Sequence, residues 1–466
     1  MNRKFFIPLL AISILFVSCF EDLDDNIQIS STLDIQNFIY RGLNYYYLYK
    51  ADTPELANDA FSSQSDLDDF LNNYDSPESL FDYLKSPRDR FSNLFSDFRV
   101  IEDALNGITL SNGMEYGLVY YPDGSRNVFG YVRFVLPNTD AEAKGLQRGD
   151  LFTTVDGQQM NENNYVDLLS ATNYTLGFAT YEGTTFLPTG ETALLNKTQY
   201  NENPVFKVKT LDVNGKKIGY LMYNGFIKNY DVELNNVFAT LKAEGINDLV
   251  LDLRYNGGGA VETATDLASM ITGQFNGQVF YKESWNADRQ AENAKDGLFD
   301  SSISNGSAIN SLNLSNVYIL TTNRTASASE LVINGLNPYI NTVQVGDTTT
   351  GKFQASFLLY DAPAPVFSRQ QANPSHYYAM LPLVYKSSNA AGYTDFNDGL
   401  FPDIILKENY FNLGLLGDEN EPLLAAAIFE IAGKPASLNK EFKVLKELSD
   451  SNVSSPIEGK MIVGRD

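Results

Sequence analysis

Ile35, Phe38, Ile39, Leu43, Tyr46 and Tyr47 recur at the spacing of one face of a helix. Ser65 and Asp66 can cap a segment from Leu67 to Tyr74, and Ser76-Pro77-Glu78 opens another with proline at an early helical position. Positions 32–108 therefore predict a small helical domain. From Gly113 the period shortens. Gly117 to Tyr121, the turn Pro122-Asp123-Gly124 and the run Asn127 to Leu136 predict strands around a turn. A short helix over Ala141 to Lys144 is closed by Gly145, Gly149-Asp150 makes a turn, and an alternating strand runs to Asp156-Gly157. Positions 172–205 hold short aromatic strands broken by Gly and Pro. The pattern changes again near Lys217. A strand at Ile218 to Leu221 precedes a helix over Val232 to Ala243. A buried strand at Asn247 to Leu253 leads through a glycine turn to a helix at Val261 to Ile271. A second buried strand, Asn316 to Thr322, leads to a helix from Ser327. Repeated strand–turn–helix units predict an α/β core with a parallel-stranded sheet, accompanied by a β-rich domain and an N-terminal helical domain. Boundaries fall near 109, 206 and 436, with a polar tail over 436–466.

The first residues set a compartment. Asn2-Arg3-Lys4 is a short positive region, and Phe5 to Val17 is apolar apart from Ser13. A membrane-spanning helix needs about 20 apolar residues, so 1–18 is expected to be a signal peptide. Phe16-Val17-Ser18-Cys19 resembles a bacterial lipobox, with Phe where Leu is usual, and implies a lipid on Cys19. The run Phe20-Glu21-Asp22-Leu23-Asp24-Asp25, within a linker over 19–31, is similar to acidic export tags of Bacteroidota surface lipoproteins. The expected location is outside the cytoplasm, tethered to a membrane by the lipid: the outer membrane, on its periplasmic face or the cell surface.

Composition narrows the chemistry. The 466 residues include one cysteine and one histidine, with 34 Lys+Arg against 58 Asp+Glu and a net charge of −24. The acidic excess argues against a nucleic-acid partner. One cysteine excludes a disulfide framework and Cys-rich metal sites, and one histidine excludes a His cluster, so no metal or other cofactor is expected. A nucleophilic enzyme built on this chain would need a base other than histidine. His376, on a loop sequence, reads as structural. Gly346 to Lys352 nearly spells a phosphate-binding loop, but Phe353 stands where the Mg²⁺-binding hydroxyl belongs, and the residues after it alternate like a strand. An exported chain also lacks a nucleotide supply, so no nucleotide partner is expected.

Thr325-Ala326-Ser327-Ala328-Ser329-Glu330 lies where a strand turns into a helix. Unpaired N–H groups at a helix N-terminus suit a developing oxyanion. Serine is also a common helix cap, so this segment alone decides little. Together with Ile218-Gly219-Tyr220, Asp252-Leu253-Arg254-Tyr255-Asn256-Gly257-Gly258-Gly259, Gly351-Lys352 and Gly399-Leu400-Phe401-Pro402-Asp403, it resembles the C-terminal processing peptidase (tail-specific protease) family of Ser-Lys endopeptidases. The region Gly113 to Ala171 resembles the PDZ domain that precedes the protease core in that family. The resemblance implies Ser327 as nucleophile and Lys352, 25 residues later, as general base. It implies an oxyanion hole from the backbone N–H groups of Ala328 and Gly258, with Gly259 as substitute. It also implies a carboxylate-accepting loop at Tyr116-Gly117-Leu118, with Gly117 and Leu118 binding the peptide. Protein or peptide substrates would be the partners. A lysine can take a proton only when neutral, so its pKa must fall from about 10.4 to roughly 7–8. Phe353, Phe357, Leu358 and Leu359 suit a dry pocket. Many family members place Gly after the lysine and Gln four residues beyond it. Phe353 and Ser356 stand there instead, leaving Ser356 or Gln354 as the residue to orient the amine. Arg254 is expected to hold the glycine turn, and Glu330 to make structural hydrogen bonds. The alternative is a catalytically silent PDZ-type peptide-binding lipoprotein scaffold; an intact Ser327–Lys352 pair favours the enzyme.

Overall fold

The computed structural model describes residues 30–183, 185–435, 444–452, 455–457 and 459–464. Cys19, the signal segment 1–18 and the acidic linker up to residue 29 lie outside the described residues.

The parallel sheet forms where the buried runs were expected. Its order is Val205–Val213, Lys216–Tyr223, Asp248–Asp252, Asn316–Thr321, Asn341–Gly346 and Ile404–Ile405. The first pair is antiparallel and every later pair parallel. Parallel strands need crossovers, supplied here by helices Asp231–Glu244, Val261–Thr272 and Ala328–Leu336. Gly245 ends the first of these in a left-handed conformation. A second six-stranded sheet runs Gly259–Ala260, Met461–Ile462, Gln354–Ser356, Leu383–Asn389, Val279–Trp285 and Asp296–Leu298.

The β-rich unit is a sheet of Met114–Tyr120, Val128–Val135, Leu151–Val155, Asn173–Tyr181 and Phe186–Asn196, with Gln158–Gln159 beside it. Phe152, Leu176, Val128 and Leu195 pack in a core of its own. The predicted short helix is Asp140–Ala143. Tyr116-Gly117-Leu118 departs from expectation: it is strand interior, not a loop. Leu118 pairs with Gly130 on one side and Ser449 on the other. Leu118 and Val119 are buried on the unit's two faces, so strand pairing wins over a turn.

Helices Thr32–Tyr46, Gln64–Leu71, Pro77–Leu84 and Phe98–Leu105 make up the helical part of this region, the third capped by Ser76 as predicted. The second is capped by Ser63 and starts at Gln64, not by Ser65 and Asp66 with a start at Leu67, because the Ser63 side chain accepts the Asp66 N–H. Two stretches of this region are strands instead. Asn93–Phe95 joins Ala379–Leu381 of the core, and Ile108–Ser111 joins Thr198–Asn201. Segment 436–466 is more than a tail, since Glu447–Asp450 and Met461–Ile462 enter the β-rich sheet and the second core sheet.

Candidate active site

The glycine turn and the Ser327 turn follow the C-terminal ends of two neighbouring parallel strands, the usual site of a crevice in such sheets. Side chains and backbone lock the turns together. Thr325 Oγ1 donates to Leu253 O at 2.8 Å, Ser329 Oγ to Asn256 O at 3.0 Å, and Ala326 N–H to Asn256 O at 3.1 Å. Ser327 sits at φ 66°, ψ −114°, immediately before helix Ala328–Leu336. A non-glycine residue held there stores roughly 1–3 kcal/mol of strain, a feature concentrated at functional sites. Ala328 is the first helical residue, so its N–H is among those helix geometry leaves free.

Lys352 follows the parallel strand Asn341–Gly346 by way of Gly351, whose φ is +84°. A side chain at 351 would meet Asn397 O at 2.3 Å, so the chain can turn here only as glycine. Glu330 joins this loop to the serine turn. Its Oε2 accepts the N–H of Ser327 and the N–H of Lys352, both at 2.8 Å; Oε1 accepts the N–H of Gly351 at 2.7 Å and the Thr349 hydroxyl. The backbones of Ser327 and Lys352 thus share one carboxylate oxygen. Both residues are fully buried, and among the described residues neither Ser327 Oγ nor Lys352 Nζ has a hydrogen-bond partner.

Burial, reinforced by the positive charge of Lys460, pushes the Lys352 ammonium well below the ordinary lysine pKa against the opposing pull of Asp89 and Glu330. The ring nearest the amine is Phe91, 5.1 Å from Nζ, on a loop of the N-terminal unit. Phe353 and Phe357, the neighbours anticipated from the sequence, pack against Phe396 and, edge-on, against Tyr46. Arg90 Nη2 donates to Gly351 O at 2.8 Å and pins the loop over the lysine.

Three sequence-derived candidates are placed differently from expectation. The Gly258 N–H donates to Asn256 Oδ1 at 2.9 Å, a local side-chain turn that already engages it. The substitute donor, the Gly259 N–H, holds the carbonyl of Lys460 at 2.8 Å. Gln354 Nε2 donates to Tyr49 OH at 2.9 Å, while the buried Ser356 Oγ is unpaired among the described residues. His376 is bonded to Asp361 at 3.1 Å and packs against Phe38, a structural setting. Arg254 pairs with Asp252, Glu421 and Glu408 in a buried network under the glycine turn. Phe91 and Lys460 carried no signal of a role in the site, and Asn256 was visible only as a member of the glycine-turn motif. Glu330 carried one, since Ser-x-x-Glu at a helix start is the spacing of a capping box.

Residues 217–360 match the family described as Peptidase family S41, and residues 34–93 match the Peptidase S41 N-terminal domain. The chain carries peptidase S41 domains. A carboxyl-terminal-processing protease of Picosynechococcus sp. is 26% identical over 300 residues, 63% of this chain and 64% of its own length. A chloroplastic C-terminal processing peptidase of Tetradesmus obliquus is 25% identical over 297 residues, 60% of this chain and 59% of its own. The chain thus spans less than two thirds of the length of either curated relative. A crystal structure assigned to the S41 proteases, from Bacteroides fragilis NCTC 9343, superposes with TM-score 0.65 at 28% identity, covering 85% of this chain and 97% of its own.

Proposed function

We propose that the chain is a serine-type endopeptidase acting on proteins or peptides, with Ser327 as nucleophile and Lys352 as general base. One observation carries this reading: a single buried carboxylate, Glu330, ties the backbones of two residues whose buried reactive groups are unpaired and of which one is a lysine held towards its neutral form. Neutral Lys352 Nζ removes the Ser327 hydroxyl proton as Oγ bonds to the substrate carbonyl carbon. The oxyanion is received by the Ala328 N–H and by a glycine-turn N–H, Gly258 once released from Asn256 or Gly259 once released from Lys460. The lysine ammonium returns the proton to the departing amine as the peptide C–N bond breaks. Water then releases the acyl group by the same base. Ser356 is the better of the two candidates for orienting the amine, because Gln354 is committed to Tyr49.

The PDZ-like reading of residues 109–205 and the names of the curated relatives support recognition of substrates through their C-termini, at Gly117 and Leu118 where Glu447–Asp450 pairs. The lipobox-like Cys19 supports an exported, lipid-anchored location. The silent-scaffold reading rests on one observation, the diversion of the Gly258 N–H to Asn256.

Wild type, Ser327→Ala and Lys352→Ala are to be compared on unstructured proteins with apolar C-termini. Cleavage by wild type alone, unaffected by chelators, is the expected result. Equal cleavage by all three would overturn the dyad, and no cleavage by any would favour the scaffold.

A further inference from the structure

Residues 459–464 lie between the two strands that flank the dyad, pairing with one edge of each, while Gln354–Ser356 pairs with the core strand Leu383–Asn389 on its other edge. Gly259↔Met461 and Ala260↔Ile462 pair in parallel on the serine side; Ser356↔Ile462 pairs on the lysine side, where the Val463 N–H donates to Ser356 O at 2.9 Å. The Lys460 carbonyl occupies the Gly259 N–H. A Cβ at Gly258 would lie 2.8 Å from that carbonyl oxygen and 2.9 Å from Ser327 Oγ, so both flank the same glycine face. The Lys460 side chain runs to Phe91 O at 2.8 Å and to Asn93 Oδ1, next to the ring that covers Lys352. Met461 is fully buried.

The same segment also covers the β-rich unit. Glu447–Asp450 pairs antiparallel with Met114–Tyr120, directly on Gly117 and Leu118. Ion pairs anchor it: Glu447 to Arg324 at 2.8 Å, and Asp450 to Arg324 at 2.5 Å and to Arg133 at 3.5 Å. Between these two strands the segment walls a cavity of about 540 Å³ beside Gly257 to Gly259. An added strand of this kind is how extended peptides bind sheet edges.

We propose that residues 444–452 and 459–464 are built-in occupants of the substrate groove, the first laid over the β-rich edge and the second through the Ser327–Lys352 cleft in the place of a substrate strand, and that cleavage waits on their departure. This rests on the peptidase reading for its consequence, though not for the occupancy itself. It also defines what displaces the segment: an extended peptide with carboxylates for Arg324 and Arg133 and, downstream, a basic side chain for the Phe91–Asn93 pocket followed by large apolar residues.

The test uses the full chain carrying Glu447→Lys and Asp450→Lys, which set like charges against Arg324 and Arg133. In a Ser327→Ala background, a fluorescent peptide of residues 444–464 is expected to bind the double variant at least about tenfold more tightly than the chain with its segment intact, because the three ion pairs of Glu447 and Asp450 no longer compete. In the active background, kcat/KM on an unstructured reporter is expected to rise about tenfold. Peptide binding no tighter than to the intact chain would overturn the proposal, as would reporter cleavage that is measurable but unchanged. Tight peptide binding with no cleavage by either chain would support the occupancy and count against the peptidase reading instead.

Discussion

Ser327 and Lys352 are both costly residues. The serine is held at a positive φ, and the lysine is buried without a partner among the described residues to satisfy an ammonium. The lysine cost has a sign in pH. The folded state holds Lys352 well below its ordinary pKa, so between the depressed value and about 10.4 the unfolded chain binds a proton that the folded chain does not. Stability therefore rises with pH across that window and is flat below it. Lys352→Met removes the proton site and keeps most of the volume. The variant is expected to be inactive and, near pH 7, to melt higher than wild type by on the order of a few degrees. The gap should close as the pH approaches about 10. Thermal melts at a series of pH values check this, and a gap of constant size would show that desolvation of the ammonium is not the cause.

Among the elements, the turns carry the site, and they were legible to different degrees. The strand–turn–helix units around Asp252 and Ser327 stand out because a buried apolar run, small residues and a helix follow one another within a short stretch. The Ser327–Lys352 pairing came from motif order, not from any local pattern. Phe91 was invisible, because nothing near it in sequence says that this loop crosses to a lysine 261 positions away along the chain. The glycine turn was half legible: its flexibility is written in three glycines, but the direction of the Gly258 N–H depends on the Asn256 side chain. Phe91→Ala tests the loop. Removing the ring admits water to the amine and relieves desolvation, so the Lys352 pKa moves up. The acid limb of the kcat/KM profile is then expected to shift to higher pH, with the alkaline plateau close to wild type. A uniform loss at every pH would assign Phe91 to substrate contact instead.

Across the whole molecule, the three-part plan read from changes in periodicity does not map onto three cores. The β-rich unit has its own, but helix Thr32–Tyr46 shares one cluster with the parallel sheet and its crossovers. Periodicity shows which face of that helix is apolar and nothing about what covers it. Tyr46 makes the joint explicit. It is buried, lies 4.9 Å edge-on to Phe357 and 6.2 Å from the lone Trp285, and donates to Pro365 O at 2.7 Å. Trp285 is in a strand of the second core sheet, so its fluorescence reports on the core rather than on the helix. Tyr46→Ala should cost about 3–5 kcal/mol, the usual range for emptying a large aromatic site, whereas Tyr46→Phe should cost about 1 kcal/mol for the hydroxyl alone. Because helix and sheet share apolar surface, the Trp285 transition and the far-UV circular dichroism transition are expected to fall together in Tyr46→Ala. An unshifted Trp285 midpoint beside a lowered helical transition would mean that the N-terminal unit unfolds by itself. In that case the Phe91 cover over Lys352 would be lost before the core is.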